Sequence, residues 1–116
     1  MSRIDNIREL AEKVMEWTPA GQNHEAFTFA DQVGRAKWIY RDGRGWDPFA
    51  SASAALEVAE KMRERGWCVE VISKTSYWTA RMHHFNDDED DELVTEVGNT
   101  LPEAISTASL AAIRRK

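Results

Sequence analysis

The chain has 116 residues, 42% hydrophobic and 30% charged, which is the balance of one folded domain able to bury roughly two thirds of its unfolded surface without staples. No apolar run approaches the roughly 18 residues that cross a bilayer, the start "MSRIDNIREL" lacks the apolar stretch of a signal peptide, and the lone Cys68 excludes an internal disulfide or a multi-thiolate zinc site. The formal charge of −5 is local, because residues 87–92 hold six of the twenty acids and leave 15 bases against 14 acids, without the basic excess of a phosphate-backbone surface.

Residues 3–16, "RIDNIRELAEKVME", set Ile4, Ile7, Leu10, Ala11 and Val14 three and four apart, one apolar stripe down a helix. Ser2 with Asp5 three residues later caps its start, and "TPAG" ends it. From 18 to 35 only Phe27 and Phe29 alternate, which reads as an irregular loop holding at most a short edge strand. "AKWIY" (36–40) is a strand running into the tight turn "RDGRGW". Asp47 before Pro48 is a cap followed by a residue preset for the first helical turn, and the helix it opens reaches about Arg65, with Gly66 as left-handed stop. "WCVEVISK" (67–74), "SYWTARMHHF" (76–85) and "ELVTEVG" (92–98) are extended, the first two so closely joined that they pair antiparallel. "TLPEAISTASLAAIRR" then opens on a capping box, Thr100 with Glu103, and carries a stripe of Leu101, Ile105, Ala108 and Ala112.

The order α-β-α-β-β-β-α predicts an α+β fold, an α/β sandwich in which three helices cover the faces of one antiparallel sheet of about four strands. Segment 67–74 is apolar toward both sides, which calls for helices on both faces.

"IDNIRELAEKVMEW", "SAALEVAEKMRERGW" and "TLPEAISTASLAAI" together resemble, in matching order, the phage ABA sandwich domain, a family of small proteins encoded mainly by bacteriophages and prophages. The resemblance implies helices on either side of an antiparallel sheet across a single domain, 1–116. It also implies a viral protein working in the cytoplasm of a bacterial host. The family has no agreed biochemical function and no assigned catalytic residues, so it lends no site; Ala11, Glu12, Lys13, Val14, Met15 and Trp17 match as helix packing and helix surface. This chain departs from the pattern between 18 and 47, in the helix start "DPFASAS" and in its acidic insertion.

Three constellations are candidates for chemistry. The acidic loop at 86–92, following His83 and His84, has no glycine for a calcium-loop turn, and adjacent histidines on a strand point to opposite faces. It reads as a self-repelling, solvated hairpin tip in preference to a metal site or a mimic of the DNA backbone. Ser51, Ser53, Ser73 and Ser76 lack any nucleophile setting, Cys68 reads as a core thiol, and "RDGRG" lacks the lysine and hydroxyl of a phosphate-binding loop, so no catalytic residue, metal or cofactor is expected. The third constellation is aromatic and cationic. Tyr40, Arg41, Arg44 and Trp46 around the turn, with Trp78 and Arg81 on the later hairpin, are the residues that stack on a base and grip a phosphate. Against this, Trp38 and Trp78 read as core residues on the sheet faces. From Pro48 onward the order helix, three strands, helix is that of double-stranded-RNA-binding domains, but "TLPEA" lacks the basic cluster they need, and nucleic acid is disfavoured as a partner.

The expectation is a non-catalytic phage accessory protein. It would bind and sequester a small nucleotide immune signal as an anti-defence sponge, assembled as a homo-oligomer that uses its surplus tryptophans. A protein that blocks a host defence enzyme and a phage structural component are the alternatives.

Overall fold

The structure, a computed structural model, describes residues 2–84 and 92–115, with Glu92 by its backbone alone. Among these residues it contains three helices and two three-stranded antiparallel sheets, an α+β sandwich. The class and the helices are those expected, while six strands in two sheets replace one sheet of about four. By its internal contacts the chain forms two compact units, Met1–Asp47 and Pro48–Lys116.

In the first unit Ser2 caps helix α1 (Arg3–Lys13), its hydroxyl accepting from the Asp5 amide at 3.3 Å, and the apolar stripe buries Ile7, Leu10 and Ala11. Val14, Met15 and Trp17 are buried just beyond it. Strands β1 (Thr18–Gln22), β2 (Ala26–Ala30) and β3 (Ala36–Tyr40) form the first sheet in that order, so the segment 18–35 that reads as irregular loop contains two strands. Side-chain oxygens shape both turns. Asn23 Oδ1 accepts from the Glu25 and Ala26 amides at 2.7 and 2.9 Å, and Asp31 Oδ1 from Val33 and Arg35 at 3.0 and 2.8 Å. β1 escapes a pattern reading because every residue in it is exposed and its "TPAGQ" holds proline and glycine, tolerated on an edge strand where half the backbone groups face water. β2 buries Phe27 and Phe29, and β3 buries Ile39.

In the second unit helix α2 (Ala52–Glu64) is capped by Ser51, whose hydroxyl accepts from the Ala54 amide at 3.3 Å. The helix cap therefore lies four residues beyond the expected Asp47, which is buried and ion-paired with Arg3. Gly66 adopts the left-handed φ of 96° that its position predicts. Strands β4 (Trp67–Ser73), β5 (Trp78–His84) and β6 (Glu92–Gly98) pair antiparallel in sequence order. Helix α3 (Leu101–Ile113) begins at the expected box: Thr100 Oγ1 accepts from the Glu103 amide at 3.3 Å, and the Glu103 carboxylate accepts from the Asn99 amide at 2.7 Å.

The core of this unit joins Ala80, Met82 and Val94 of the sheet to Val58, Met62, Ile105 and Ala108 of α2 and α3. Each large side chain contributes about 1.5–3 kcal/mol on burial. Ser106, fully buried, donates to the Pro48 carbonyl at 2.6 Å and so ties α3 to the segment entering α2. The other face of the sheet presents Cys68, Glu70, Arg81, Leu93, Thr95 and Val97 in exposed positions. Within this unit the helices cover one face where two covered faces were expected, and Cys68 is exposed where a core thiol was expected.

Candidate functional site

The segment after β3 folds back on it. Gly43 N donates to Tyr40 O at 3.1 Å, Tyr40 N to Arg44 O at 3.2 Å and Trp46 N to Trp38 O at 2.9 Å, with a bridge between Ile39 and Gly45. This is a three-residue loop with glycine in the left-handed position (Gly43, φ 95°), which the spacing "RDGRG" serves. Asp42 rigidifies it: its carboxylate accepts from the Arg44 amide at 3.0 Å and from Arg44 Nε at 2.8 Å. The amide bond from Arg44, ahead of the guanidinium, lowers the Asp42 pKa.

Strand alternation then sorts the aromatic and cationic groups. Trp38 and Tyr40 share one face, opposite Thr28 and Ala26, while Ile39 and Phe27 share the other. On the first face the Trp38 and Tyr40 rings stack with centroids 6.2 Å apart, and the Arg44 guanidinium lies 4.6 Å over Tyr40. Trp38 is 44% exposed, which corrects its reading as a core residue; the buried side chain of this strand is its neighbour Ile39. Arg41 turns elsewhere, 4.3 Å over the buried Phe27 ring, with Nη2 donating to the Asn23 carbonyl at 3.4 Å. Trp46 is half-buried, 4.7 Å edge-on to Trp17. A cleft of about 150 Å³ lies beside the loop, lined by Arg3, Ile4, Ile7, Tyr40, Arg41 and Asp47 among others.

Of the six predicted residues, Tyr40, Arg41, Arg44 and Trp46 belong to this hairpin, and Tyr40 and Arg41 line its cleft. Trp78 and Arg81 lie in the second unit on β5, three residues apart and therefore on opposite faces of the strand. Trp78 is half-buried on the face of Ala80 and Met82, whereas Arg81 pairs with Glu70 at 3.3 Å on the exposed face. They do not form one pocket. The histidines on the same strand also part, as their adjacency requires: His83 stands opposite Cys68 and Leu93, while His84 lies 5.0 Å edge-on to Trp67 with Nε2 3.1 Å from the Arg65 carbonyl oxygen. Residues 86–91 of the acidic loop, and the hairpin-tip reading with them, lie outside the described residues.

Sequence reasoning passed over Arg3 and Arg8. Arg3 is bonded to the buried Asp47, and Arg8 lies 4.0 Å over the same Phe27 ring that Arg41 covers. Neither spacing carries a local cue, because both partners come from distant elements. Among the described residues no group of three histidine, cysteine or carboxylate side chains could hold a metal ion, and no helix is long and apolar enough to cross a membrane.

The family model for the phage ABA sandwich domain matches residues 8–110, most of the chain. No curated protein and no solved structure matches it.

Proposed function

This chain belongs to the phage ABA sandwich domain family, and we propose that it is a non-catalytic bacteriophage accessory protein that sequesters a small nucleotide immune signal in the host cytoplasm. The observation that carries the reading is the half-exposed Trp38, stacked on Tyr40 with Arg44 behind it, beside a cleft that Tyr40 and Arg41 both line. An exposed indole offers a base a stacking surface worth about 1–3 kcal/mol, and a guanidinium holds a phosphate through paired hydrogen bonds. The cleft, at about 150 Å³, falls below the roughly 300 Å³ of pockets that enclose a small molecule. It suits one phosphate or sugar, with the base on the open aromatic face. Calorimetry and thermal shift against cyclic and linear nucleotides test this: micromolar binding that Trp38→Ala weakens is expected, and the absence of binding by every nucleotide refutes it.

A second reading, inhibition of a host defence enzyme by direct contact, draws on Val97 and Leu93, 58% and 44% exposed on the bare face of the second sheet. It predicts that a host protein captured by the chain is released by Val97→Asp, with nucleotide binding unaffected.

A further inference from the structure

The second sheet has an edge that its own helices leave unfinished. Among the described residues β4 pairs with β5 alone. At the centre of the inward face Ala80, Met82 and Val94 of β5 and β6 are buried, with Trp78, His84 and Glu96 half-buried around them, whereas on β4 both central valines, Val69 and Val71, are only half-buried. They open into a groove of about 330 Å³ lined also by Leu56, Ala59, Glu60 and Ile105, and Leu56 is 55% exposed. A free strand edge beside an uncovered apolar groove calls for another strand and another apolar side chain.

We infer that the occupant is a second copy of this chain, joined β4 to β4 about a two-fold axis at Ile72 into a continuous six-stranded sheet. The hydrogen-bonding phase comes from the hairpin. Lys74 N donates to Tyr77 O at 2.8 Å, so the even positions 74, 72 and 70 bond toward β5 and the odd positions 69, 71 and 73 turn their amides and carbonyls to the free edge. Antiparallel pairing centred on Ile72 sets Val71 opposite Ser73 of the second copy as a hydrogen-bonded pair, and Ser73 opposite Val71. The closer, non-bonded positions then place Ile72 against Ile72 and Glu70 against Lys74 on both sides of the axis. Glu70 and Lys74 are both exposed and share the open face with Ile72. Several registers pair the outward-facing odd positions; the one centred on Ile72 also sets Glu70 against Lys74, while centring on Glu70 would oppose two carboxylates. On the other face the groove and Leu56 receive the α2 helix of the second copy, adding apolar area toward the roughly 800 Å² per partner of a stable interface.

Sedimentation and light scattering of the purified chain over a dilution series test the assignment. A species of twice the 13.2 kDa chain mass is expected. Glu70→Lys and Lys74→Glu each weaken it by about tenfold, since each opposes like charges at both symmetric pairs, and the double exchange restores it. Val71→Pro removes an amide that faces the free edge and none that bonds to β5, at a side chain only half-buried, so it abolishes the dimer while far-ultraviolet dichroism shows a folded chain. A chain that stays monomeric at every concentration, or a dimer indifferent to Val71→Pro and to both charge reversals, overturns the inference.

Discussion

Replacing Gly45 by alanine examines the geometry on which the candidate site depends. Gly45 has φ +77°, and a Cβ there would stand 2.5 Å from the Trp38 carbonyl oxygen and 2.9 Å from Cδ2 of the Tyr40 ring. Gly43, two residues earlier in the same turn, has φ +95° with nothing within 4 Å of the same position. Both substitutions force an L side chain into the left-handed region at roughly 1–2 kcal/mol, and for Gly43→Ala that is the whole effect. Gly45→Ala also displaces the oxygen that accepts the Trp46 amide at 2.9 Å, losing a hydrogen bond of about 1 kcal/mol and separating the Tyr40 ring from its neighbours. Its total cost is about 3 kcal/mol or more, with loss of any ligand that uses Trp38 and Tyr40. Urea unfolding followed by tryptophan fluorescence measures both variants side by side, and the Trp17–Trp46 contact at 4.7 Å reports on the turn itself. Equal destabilisation by the two substitutions would refute the argument, since it would mean that the carbonyl and the ring do not confine position 45.

Trp38→Ala removes a half-exposed ring stacked on Tyr40 and costs about 0.5–1.5 kcal/mol of stability, leaving the chain folded, whereas the proposed function requires nucleotide affinity to fall by about 5- to 150-fold, the equivalent of one lost stacking contact; calorimetry and a urea melt separate the two. Ser106→Ala leaves the Pro48 carbonyl without its 2.6 Å donor in a buried setting, and urea unfolding should show a loss of about 1–3 kcal/mol. Asp31 and Asp42 have pKa values held below the ordinary 3.8, chiefly by the amides of Arg35 and Arg44. A lowered folded pKa contributes stability that is complete above the unfolded value and lost as pH falls through the folded one. Asp31→Asn and Asp42→Asn should therefore flatten the loss of stability below about pH 4, and an acid unfolding profile of unchanged steepness would exclude these turns as contributors.

The parts of this protein legible in its sequence are those whose cause lies within a few residues along the chain. The stripe from Ile7 to Val14 specifies α1 through helical periodicity, Thr100 with Glu103 starts α3 by satisfying amides one turn away, Gly66 stops α2 through its own φ, and the short link between 73 and 78 compels β4 and β5 to pair. The same locality made the turn at 41–43 readable, and with it Tyr40, Arg41, Arg44 and Trp46 as a group. Tertiary structure decided whatever depended on a distant neighbour. β1 exists because β2 offers it hydrogen bonds, although no hydrophobic pattern marks it. Trp38 is exposed and Ile39 buried because they lie on opposite faces of β3, and Asp47 pairs with Arg3, 44 residues away, because a buried carboxylate needs a cation. Arg8 and Arg41 meet on Phe27 from elements 33 residues apart. Periodicity and capping are short-range and leave their mark in letter order, whereas burial and charge pairing are settled by which surfaces the folded chain brings within a few ångströms.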